Sequence, residues 1–277
     1  MIRSSRLLIA FVVWGCATTT FAETTFVETF EDGSNEGNWT FGSANGYIDP
    51  AGGNPGAFFH DPYLDTFAPQ PRTTVIGDSE FTGDYRAQGV MSVGIDLKTF
   101  YVDFSADGRP LSVILVSDND TPYDYYDDWG AYVIGNLNVP RPGEGWLSYD
   151  FDVPSQATEL PPDWSFIAFG PDSPDEPDWN DLITDVTQLR FFYGDPEMFF
   201  IFQVWDLGMD NPRITHEPPG PEGDLNGDGC VDQADLGILL ADWGCTGGDC
   251  PGDVDGDGNT DQADLGLLLA HWGEGCP

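Results

Sequence analysis

Two copies of one motif stand near the C-terminus: residues 224–244 read DLNGDGCVDQADLGILLADWG, and residues 253–273 read DVDGDGNTDQADLGLLLAHWG. Aligned without a gap, the copies agree at 15 of 21 positions. In each copy the apolar residues fall at i, i+3, i+4 and i+7, which predicts a short helix with one apolar stripe. Because neither helix can bury its stripe alone, we expect the copies to pack against each other about a pseudo-two-fold axis. The stripes are Leu236, Leu239, Leu240 and Trp243, and then Leu265, Leu268, Leu269 and Trp272.

The acidic stretch of each copy carries oxygen-bearing side chains at positions 1, 3, 5, 9 and 12, with a glycine at position 6. This is the ligand spacing of a calcium loop, in which position 7 contributes its backbone carbonyl. The spacing therefore predicts two calcium ions in this C-terminal segment. The ligands of the first are Asp224, Asn226, Asp228, Cys230, Asp232 and Asp235, and those of the second are Asp253, Asp255, Asp257, Asn259, Asp261 and Asp264.

Each unit has a helix after its loop but none before it, because a proline-rich stretch precedes the first loop. Two such half EF-hands in tandem resemble a type I dockerin, the module by which extracellular polysaccharide-degrading proteins attach to cohesin domains. The resemblance implies that positions 10 and 11 of each loop help select a cohesin-type partner, and that either face could bind it. These positions are Gln233 and Ala234 in the first copy, and Gln262 and Ala263 in the second.

Two features depart from the expected patterns. Position 12 is Asp, where an EF-hand has Glu. Leu240-Ala241 and Leu269-Ala270 stand where dockerins often carry a basic pair. A tail that is held by calcium and has only a structural role therefore stays an alternative.

The cysteines predict an oxidising compartment. Four of the 5 cysteines lie in the tail, and an even number in so small a module implies two disulfides with three possible pairings. Cys245 with Cys250, and Cys230 with Cys276, is the pairing that suits a two-fold arrangement best.

The N-terminal residues 1–22 predict a secretory signal peptide. Arg3 and Arg6 precede a short apolar run, and Ala22 ends a small-residue cleavage site before Glu23. The run is too short to span a bilayer, so no transmembrane segment is expected. A lipid anchor at Cys16 is the alternative. We expect a secreted, extracellular protein, either free or associated with the cell surface.

The charge of the chain excludes one class of partner. The 48 acidic residues against 9 Lys and Arg give a formal net charge of -39, which repels a phosphate backbone and argues against nucleic-acid binding. The chain is nonetheless 40% hydrophobic and 14% aromatic, which is enough for a packed core.

Residues 23–215 are predicted to form a β-sandwich, followed by a Pro/Gly linker at 216–223 and the dockerin-like domain at 224–277. Several runs alternate apolar and polar residues, and 34 Gly and 22 Pro supply turns. The fold class is therefore mainly β: an antiparallel sandwich of jelly-roll type with a small all-α C-terminal module. Strands are predicted at 25–30, 89–95, 100–104, 111–117, 131–139, 146–153, 165–170, 187–193 and 199–207, and a single helical turn within 181–188.

The two ends of the predicted sandwich are similar to the first and last strands of jelly-roll carbohydrate-binding modules. That similarity implies a structural calcium shared by Glu31, after the first strand, and Asp210, in the last. The alternative is that both are ordinary acids at strand ends.

Two acidic loops carry aromatic side chains, and sugar recognition uses flat rings beside carboxylates. The candidate glycan ligands are Tyr123, Tyr125, Tyr126, Trp129, Trp164 and Trp179. The alternative is that these rings only cover the ends of the sandwich.

No catalytic constellation is predicted. The acids of 176–181 imitate a laminarinase motif only superficially in what reads as a loop, and His60 is interpreted as a turn or strand-end residue. We expect a non-catalytic module that binds a polysaccharide or a surface. The alternatives are a divergent jelly-roll hydrolase or lyase on the same adaptor, and a structural cell-surface protein.

Overall fold

The computed structural model describes residues 23–73, 79–119, 121, 124–217, 220–248 and 250–276. The proposed signal peptide, with Cys16, lies outside these residues. Glu23–Glu217 forms one compact unit, and Pro218–Pro277 belongs to a second. Among the described residues no helix is both long enough and apolar enough to cross a membrane.

In the residues that the structure describes, the first unit, the sandwich, has twelve strands and one short helix. They are β1 (Thr24–Val27), β2 (Trp39–Thr40), β3 (Tyr47–Gly53), β4 (Gly56–Thr66), β5 (Arg72–Thr73), β6 (Val90–Val102), β7 (Pro110–Ser117), β8 (Trp129–Asn138), β9 (Leu147–Asp152), β10 (Ser165–Ala168), α1 (Trp179–Ile183), β11 (Gln188–Tyr193) and β12 (Gln203–His216).

The strands form two sheets. Sheet A has the order β3-β4-β12-β6-β9, with β1 also paired to β12, and sheet B has the order β10-β8-β7-β11-β5-β2. The strand pairs of both sheets are antiparallel. The predicted mainly β, antiparallel fold is confirmed.

The inner faces of the sheets share one core. Trp205, Leu207 and Met209 alternate along β12, and Phe191 and Tyr193 alternate along β11, and all five side chains are fully buried. This period-two pattern is what a strand with one buried face requires. Full burial of each such large side chain stabilises the fold by roughly 1.5–3 kcal/mol.

The prediction missed strands β3 and β4. β3 contains Pro50, Gly52 and Gly53, which are turn residues by composition but here lie on an edge strand beside an irregular register with β4. His60 consequently lies within β4 and not at a strand end or turn, which corrects its interpretation.

Two strands are longer than predicted. β6 is continuous because Asp96 and Lys98 point away from the core while Ile95 and Leu97 point into it. β12 begins at Gln203, later than predicted, and continues to His216. The helical turn also starts earlier than predicted, because the side chain of Asp178 caps α1 by accepting from the Asn180 N–H.

The second unit, the tail, contains α2 (Gln233–Ala241) and α3 (Gln262–Ala270). The pseudo-two-fold relation appears in two reciprocal hydrogen bonds: the Gly244 N–H donates to the Thr260 carbonyl, and the Gly273 N–H donates to the Val231 carbonyl. Both predicted disulfides are present, Cys230–Cys276 and Cys245–Cys250.

The helix stripes are only partly buried, which corrects the prediction. Leu239 and Leu268 are fully buried between the copies, with Leu236 and Leu265 packed beside them. The other members of each stripe, Leu240, Trp243, Leu269 and Trp272, are between 42% and 54% exposed. Two nine-residue helices share too small a core to cover all four apolar positions of each stripe.

Candidate functional site

The carboxylates at positions 1 and 12 organise each tail loop. In the first loop Asp224 accepts from the N–H groups of Gly227, Asp228 and Gly229 at 2.7–3.2 Å. Asp235 accepts from Leu225, Asn226 and Asp232 at 2.8–3.2 Å, so it joins the start of the loop to the start of α2.

The second loop repeats these contacts. Asp253 accepts from Gly256, Asp257 and Gly258 at 2.7–3.2 Å. Asp264 accepts from Val254, Asp255 and Asp261 at 2.6–3.2 Å. Gly229 and Gly258, at position 6, have φ values of 83° and 88°, where a side chain would be strained. The loops therefore share one conformation, although they differ at Asn226/Asp255 and Cys230/Asn259.

The second loop brings three carboxylates together. Oxygens of Asp253, Asp255 and Asp257 lie within 4.8 Å of one another. A hydrogen bond from the Asp257 N–H lowers the pKa of Asp255, but desolvation and the carboxylates of Asp257, Asp264 and Asp253 outweigh it and raise that pKa. This crowding of like charge favours a bound cation.

Asp235 and Asp264 are almost completely buried. Burial alone would raise the pKa of Asp264, but the N–H groups of Asp261, Asp255 and Val254 outweigh it and hold the pKa below its usual range. These N–H groups compensate the buried charge, and the ionised carboxylate would also attract a divalent cation.

The remaining donors fit a hard cation. Position 9, Asp232 or Asp261, caps its helix by accepting from the N–H two residues on, and position 9 of calcium loops often binds through water. The side chain of Cys230 is in a disulfide, which leaves its carbonyl as its oxygen donor. Each carboxylate oxygen has two lone-pair sites, so an oxygen that accepts a hydrogen bond can also bind a metal.

The residues predicted to bind a partner lie on the outer surface of the helices. Gln233 and Ala234 are exposed, as are Gln262 and Ala263 at the equivalent positions. Leu240 and Leu269 are on the same exposed faces, at 54% and 53%. The tail thus presents two equivalent surfaces.

Glu31 and Asp210 meet at the turn between β3 and β4. Glu31 accepts from the Ala57 N–H at 3.1 Å, and Asp210 accepts from the Asn54 N–H at 2.5 Å. Burial, which outweighs the N–H groups of Asn54 and Asn211 and is reinforced by Asp96 and Glu31, raises the pKa of Asp210 to about 7. The two predicted acids therefore lie at one place, with Asp96 close enough to act on Asp210.

The three tryptophans of the predicted aromatic glycan site are not available to a ligand. Trp129, Trp164 and Trp179 are at most 6% exposed and belong to the core, where the rings of Trp164 and Trp179 pack edge to face at 5.3 Å. Tyr125 and Tyr126 are exposed at 68% and 65%. Tyr123 lies outside the described residues. These tryptophans lie beside loops in the sequence, but each is at or next to the first residue of a strand or helix, and its side chain packs in the core.

Sequence reasoning missed a group on the outer face of sheet A. His60 Nε2 lies 2.7 Å from Asp206 Oδ1, and His60 Nδ1 lies 3.1 Å from the Tyr47 hydroxyl. The ring of Phe100 is 5.1 Å from that of His60. These residues lie on four strands, and Asp206 is 146 residues from His60 in sequence, so no local motif connects them. The signal available in the sequence was that each residue takes an outward position in its strand. Using that signal would have required β3 and β4 to be predicted as strands.

A cleft of about 850 Å³ lies along the other edge of sheet A, lined by β8, β9 and the segment around Trp164. Asp150, Asp152 and Asp163 contribute carboxylates to it. It is a second place in the sandwich where a ligand could bind.

Comparisons with known proteins do not assign the chain to a family. No protein-family model matches it, and no curated protein matches it. Among solved structures, an exo-beta-agarase is similar at 16% identity and a TM-score of 0.35, covering 75% of this chain, which spans only 26% of the agarase.

Two smaller structures are also similar. The K1 cleaved adhesin domain of Lys-gingipain from Porphyromonas gingivalis W83 has 12% identity and a TM-score of 0.33, with 70% of this chain and 99% of that domain covered. A carbohydrate-binding module specific for non-crystalline cellulose, CBM28, has 15% identity and a TM-score of 0.28, with 67% and 90% covered. Such low scores decide nothing about function, and the architecture rests on the strands described above.

Proposed function

We propose that this chain is an exported, non-catalytic protein whose β-sandwich binds a glycan or a glycan-bearing surface. Its tail is a calcium-dependent adaptor that docks onto a cohesin-type domain. The observation that carries the proposal is the equivalence of the two loops: different sequences adopt the same hydrogen-bonded conformation around carboxylates at positions 1 and 12. A shared conformation with acids at positions 1, 5, 9 and 12 of both loops is what a pair of calcium sites requires.

Calcium would stabilise the tail by offsetting the repulsion among its acids. The ligands would be the six residues of each loop given above, with Cys230 and Asn259 contributing carbonyls. The buried Asp235 and Asp264 connect each loop to its helix, so binding at the loop would also hold α2 and α3. Binding free energy would then become folding free energy.

The two outer helix surfaces are the proposed docking faces. Each presents Gln-Ala at its start and an exposed leucine one to two turns later, with Gly237 or Gly266 between them. Because the surfaces are equivalent, one partner could bind either of them. Their uncharged, partly apolar character suits a partner groove that is apolar and not acidic.

The test is calorimetric titration of calcium into the intact chain after chelation, with circular dichroism in parallel. We expect two sites and a gain in helix. Asp228→Ala with Asp257→Ala should abolish both, while Asp175→Ala with Glu176→Ala, which removes the same charge from the sandwich, should not. Absence of binding by the intact chain would overturn the adaptor.

Docking is tested separately, with immobilised cohesin domains in calcium and in chelator. Leu240→Asp or Leu269→Asp alone should leave one face intact and retain binding, whereas both together should abolish it. Binding that survives both substitutions, or that ignores chelation, would overturn the proposed docking faces.

A further inference from the structure

One row of side chains crosses the outer face of sheet A. Tyr47 is opposite His60, His60 is opposite Gly208, and Gly208 is opposite Lys98. Residues opposite each other in antiparallel strands share a face, so the row is continuous over β3, β4, β12 and β6. With neighbouring strands about 4.8 Å apart, it extends about 14 Å, which is room for a short oligosaccharide.

Aromatic rings lie along this row. Trp146, just before β9, reaches across the sheet: its ring lies 5.3 Å from that of Phe58, and its Nε1 donates to the Gly52 carbonyl at 3.0 Å. Gly208 makes this possible, since a Cβ there would come within 2.8 Å of the Trp146 ring. Phe100 packs at 5.7 Å from Phe58.

Polar groups are held among the rings in fixed positions. Asp206 and the Tyr47 hydroxyl bind the two nitrogens of His60, as described above, and Asp49 lies 3.6 Å from it. The Lys98 ammonium is 4.5 Å from the centre of the Phe100 ring and 5.5 Å from that of Trp146. These contacts fix the side chains before any ligand arrives, which lowers the entropy cost of binding.

The surface remains accessible. Tyr47 is 47% exposed, and Tyr101, opposite Asp206 on β6, is 53% exposed. His60, Lys98, Phe100 and Trp146 are each partly exposed. Partly exposed rings beside carboxylate, imidazole and ammonium groups differ from an apolar protein interface, in which charged groups are depleted.

We propose that this face of sheet A, from Tyr47 to Trp146, is the site at which the sandwich binds a neutral glycan. Aromatic faces suit the C–H faces of sugar rings, and Asp206, Asp49, His60 and Lys98 suit their hydroxyls. The net charge of -39 disfavours a uronic-acid or sulfated chain. The inference rests on the proposed glycan-binding function of the sandwich and gives it a location and a ligand class.

The experiment uses the intact chain with neutral hexasaccharides of β-linked glucose, xylose, mannose and galactose, measured by calorimetry, and polygalacturonate as the anionic comparison. Tyr47→Ala and Trp146→Ala should each weaken binding of the recognised hexasaccharide at least about tenfold, as expected for aromatic hot spots. Lys98→Met, which keeps the apolar stem, should weaken it less.

Tyr125→Ala with Tyr126→Ala is the matched control, because these exposed tyrosines lie elsewhere on the sandwich, and Asp152→Ala controls for the cleft. An unchanged melting temperature of the sandwich shows that each variant is folded. If Trp146→Ala unfolds, the test rests on Tyr47→Ala, because Tyr47 is exposed. Loss of binding in a control variant, with the Tyr47 and Trp146 variants unaffected, overturns the location but leaves glycan binding intact. Tighter binding of polygalacturonate overturns the ligand class, and no binding by the intact chain overturns both proposals.

Discussion

The sandwich and the tail are stabilised in different ways. The sandwich has a continuous core built from the inner faces of two sheets, whereas the fully buried apolar side chains of the tail are Val231, Leu239 and Leu268. The tail instead has two disulfides and two loops organised around buried carboxylates. A small module with so little apolar core needs a further source of stability, and the disulfides are one such source here.

The largest covalent contribution to the tail should come from Cys230–Cys276. Its cysteines are 46 residues apart, against 5 for Cys245–Cys250. Chain entropy gives about 4 kcal/mol for the long loop and about 2 kcal/mol for the short one. Replacing the first pair by serine should therefore lower the free energy of unfolding of the tail by about twice as much as replacing the second.

The measurement is calorimetry of both double variants in saturating calcium, with the sandwich transition as an internal reference. Equal losses, or a shift of the sandwich transition, would contradict the idea that the disulfides act on the tail alone.

The next comparison lies within one helix. Leu239→Ala removes a side chain that is fully buried between the copies and should cost about 2–5 kcal/mol. Leu240→Ala, one residue on, removes an exposed side chain and should cost within about 0.5 kcal/mol. Thermal unfolding in calcium measures the cost of each single variant. Comparing Leu268→Ala with Leu269→Ala, again as separate variants, repeats the contrast in α3. Similar costs for the two neighbours would mean that α2 packs with a different face inward.

The two units should also respond differently to calcium. If Glu31 and Asp210 bind an ion, calcium at about 100 times its dissociation constant should stabilise the already folded sandwich by about 2.7 kcal/mol. Asp210→Asn should remove this gain, whereas Asp65→Asn, at an exposed position on β4, should keep it. An equal calcium response of the sandwich transition in both variants would exclude the third ion and leave the pair as strand-end acids.

The tail was readable from its sequence because its contacts are local. The carboxylates of a loop and the backbone N–H groups they accept from lie at most ten residues apart in sequence, so spacing alone predicts the loop, the helix and their duplication. The burial of Leu239 beside the exposure of Leu240 was not readable, because it depends on how closely two short helices approach. Gly223 and Gly252, just before the two loops, let the chain pass close to the helix of the other copy: a Cβ there would lie 3.1 Å from the Leu268 Cα and 3.0 Å from the Leu239 Cα.

The fold class of the sandwich could be predicted from its sequence, but the residues that meet on its surface could not. Alternation along β9 and β11 predicted antiparallel sheets, yet β3 and β4 were hidden by glycine and proline. The candidate glycan face joins Tyr47, His60, Lys98, Trp146 and Asp206, which only the strand order β3-β4-β12-β6-β9 brings together. Of the aromatic residues that cluster in the sequence, Trp129, Trp164 and Trp179 belong to the core, whereas Tyr125 and Tyr126 are exposed.

The smallest expected effect concerns the position at which the two repeats differ most in charge. Asp242 of the first repeat accepts from Thr260 and Gly252, whereas its counterpart His271 contacts Glu274 at 2.9 Å and Glu222 at 3.2 Å. The hydrogen bond to Glu274, with Glu222 in support, raises the pKa of His271 above its ordinary value.

Protonation of His271 therefore favours the folded tail. The contribution should be complete below the pKa of the unfolded chain, about 6.5, and should disappear as the pH rises through the higher folded value. Proton-detected titration of the histidines, with His271→Gln for assignment, measures the shift, and the midpoint of tail unfolding should depend less on pH in that variant. A folded pKa at or below about 6.5 would show that these carboxylates do not act on His271.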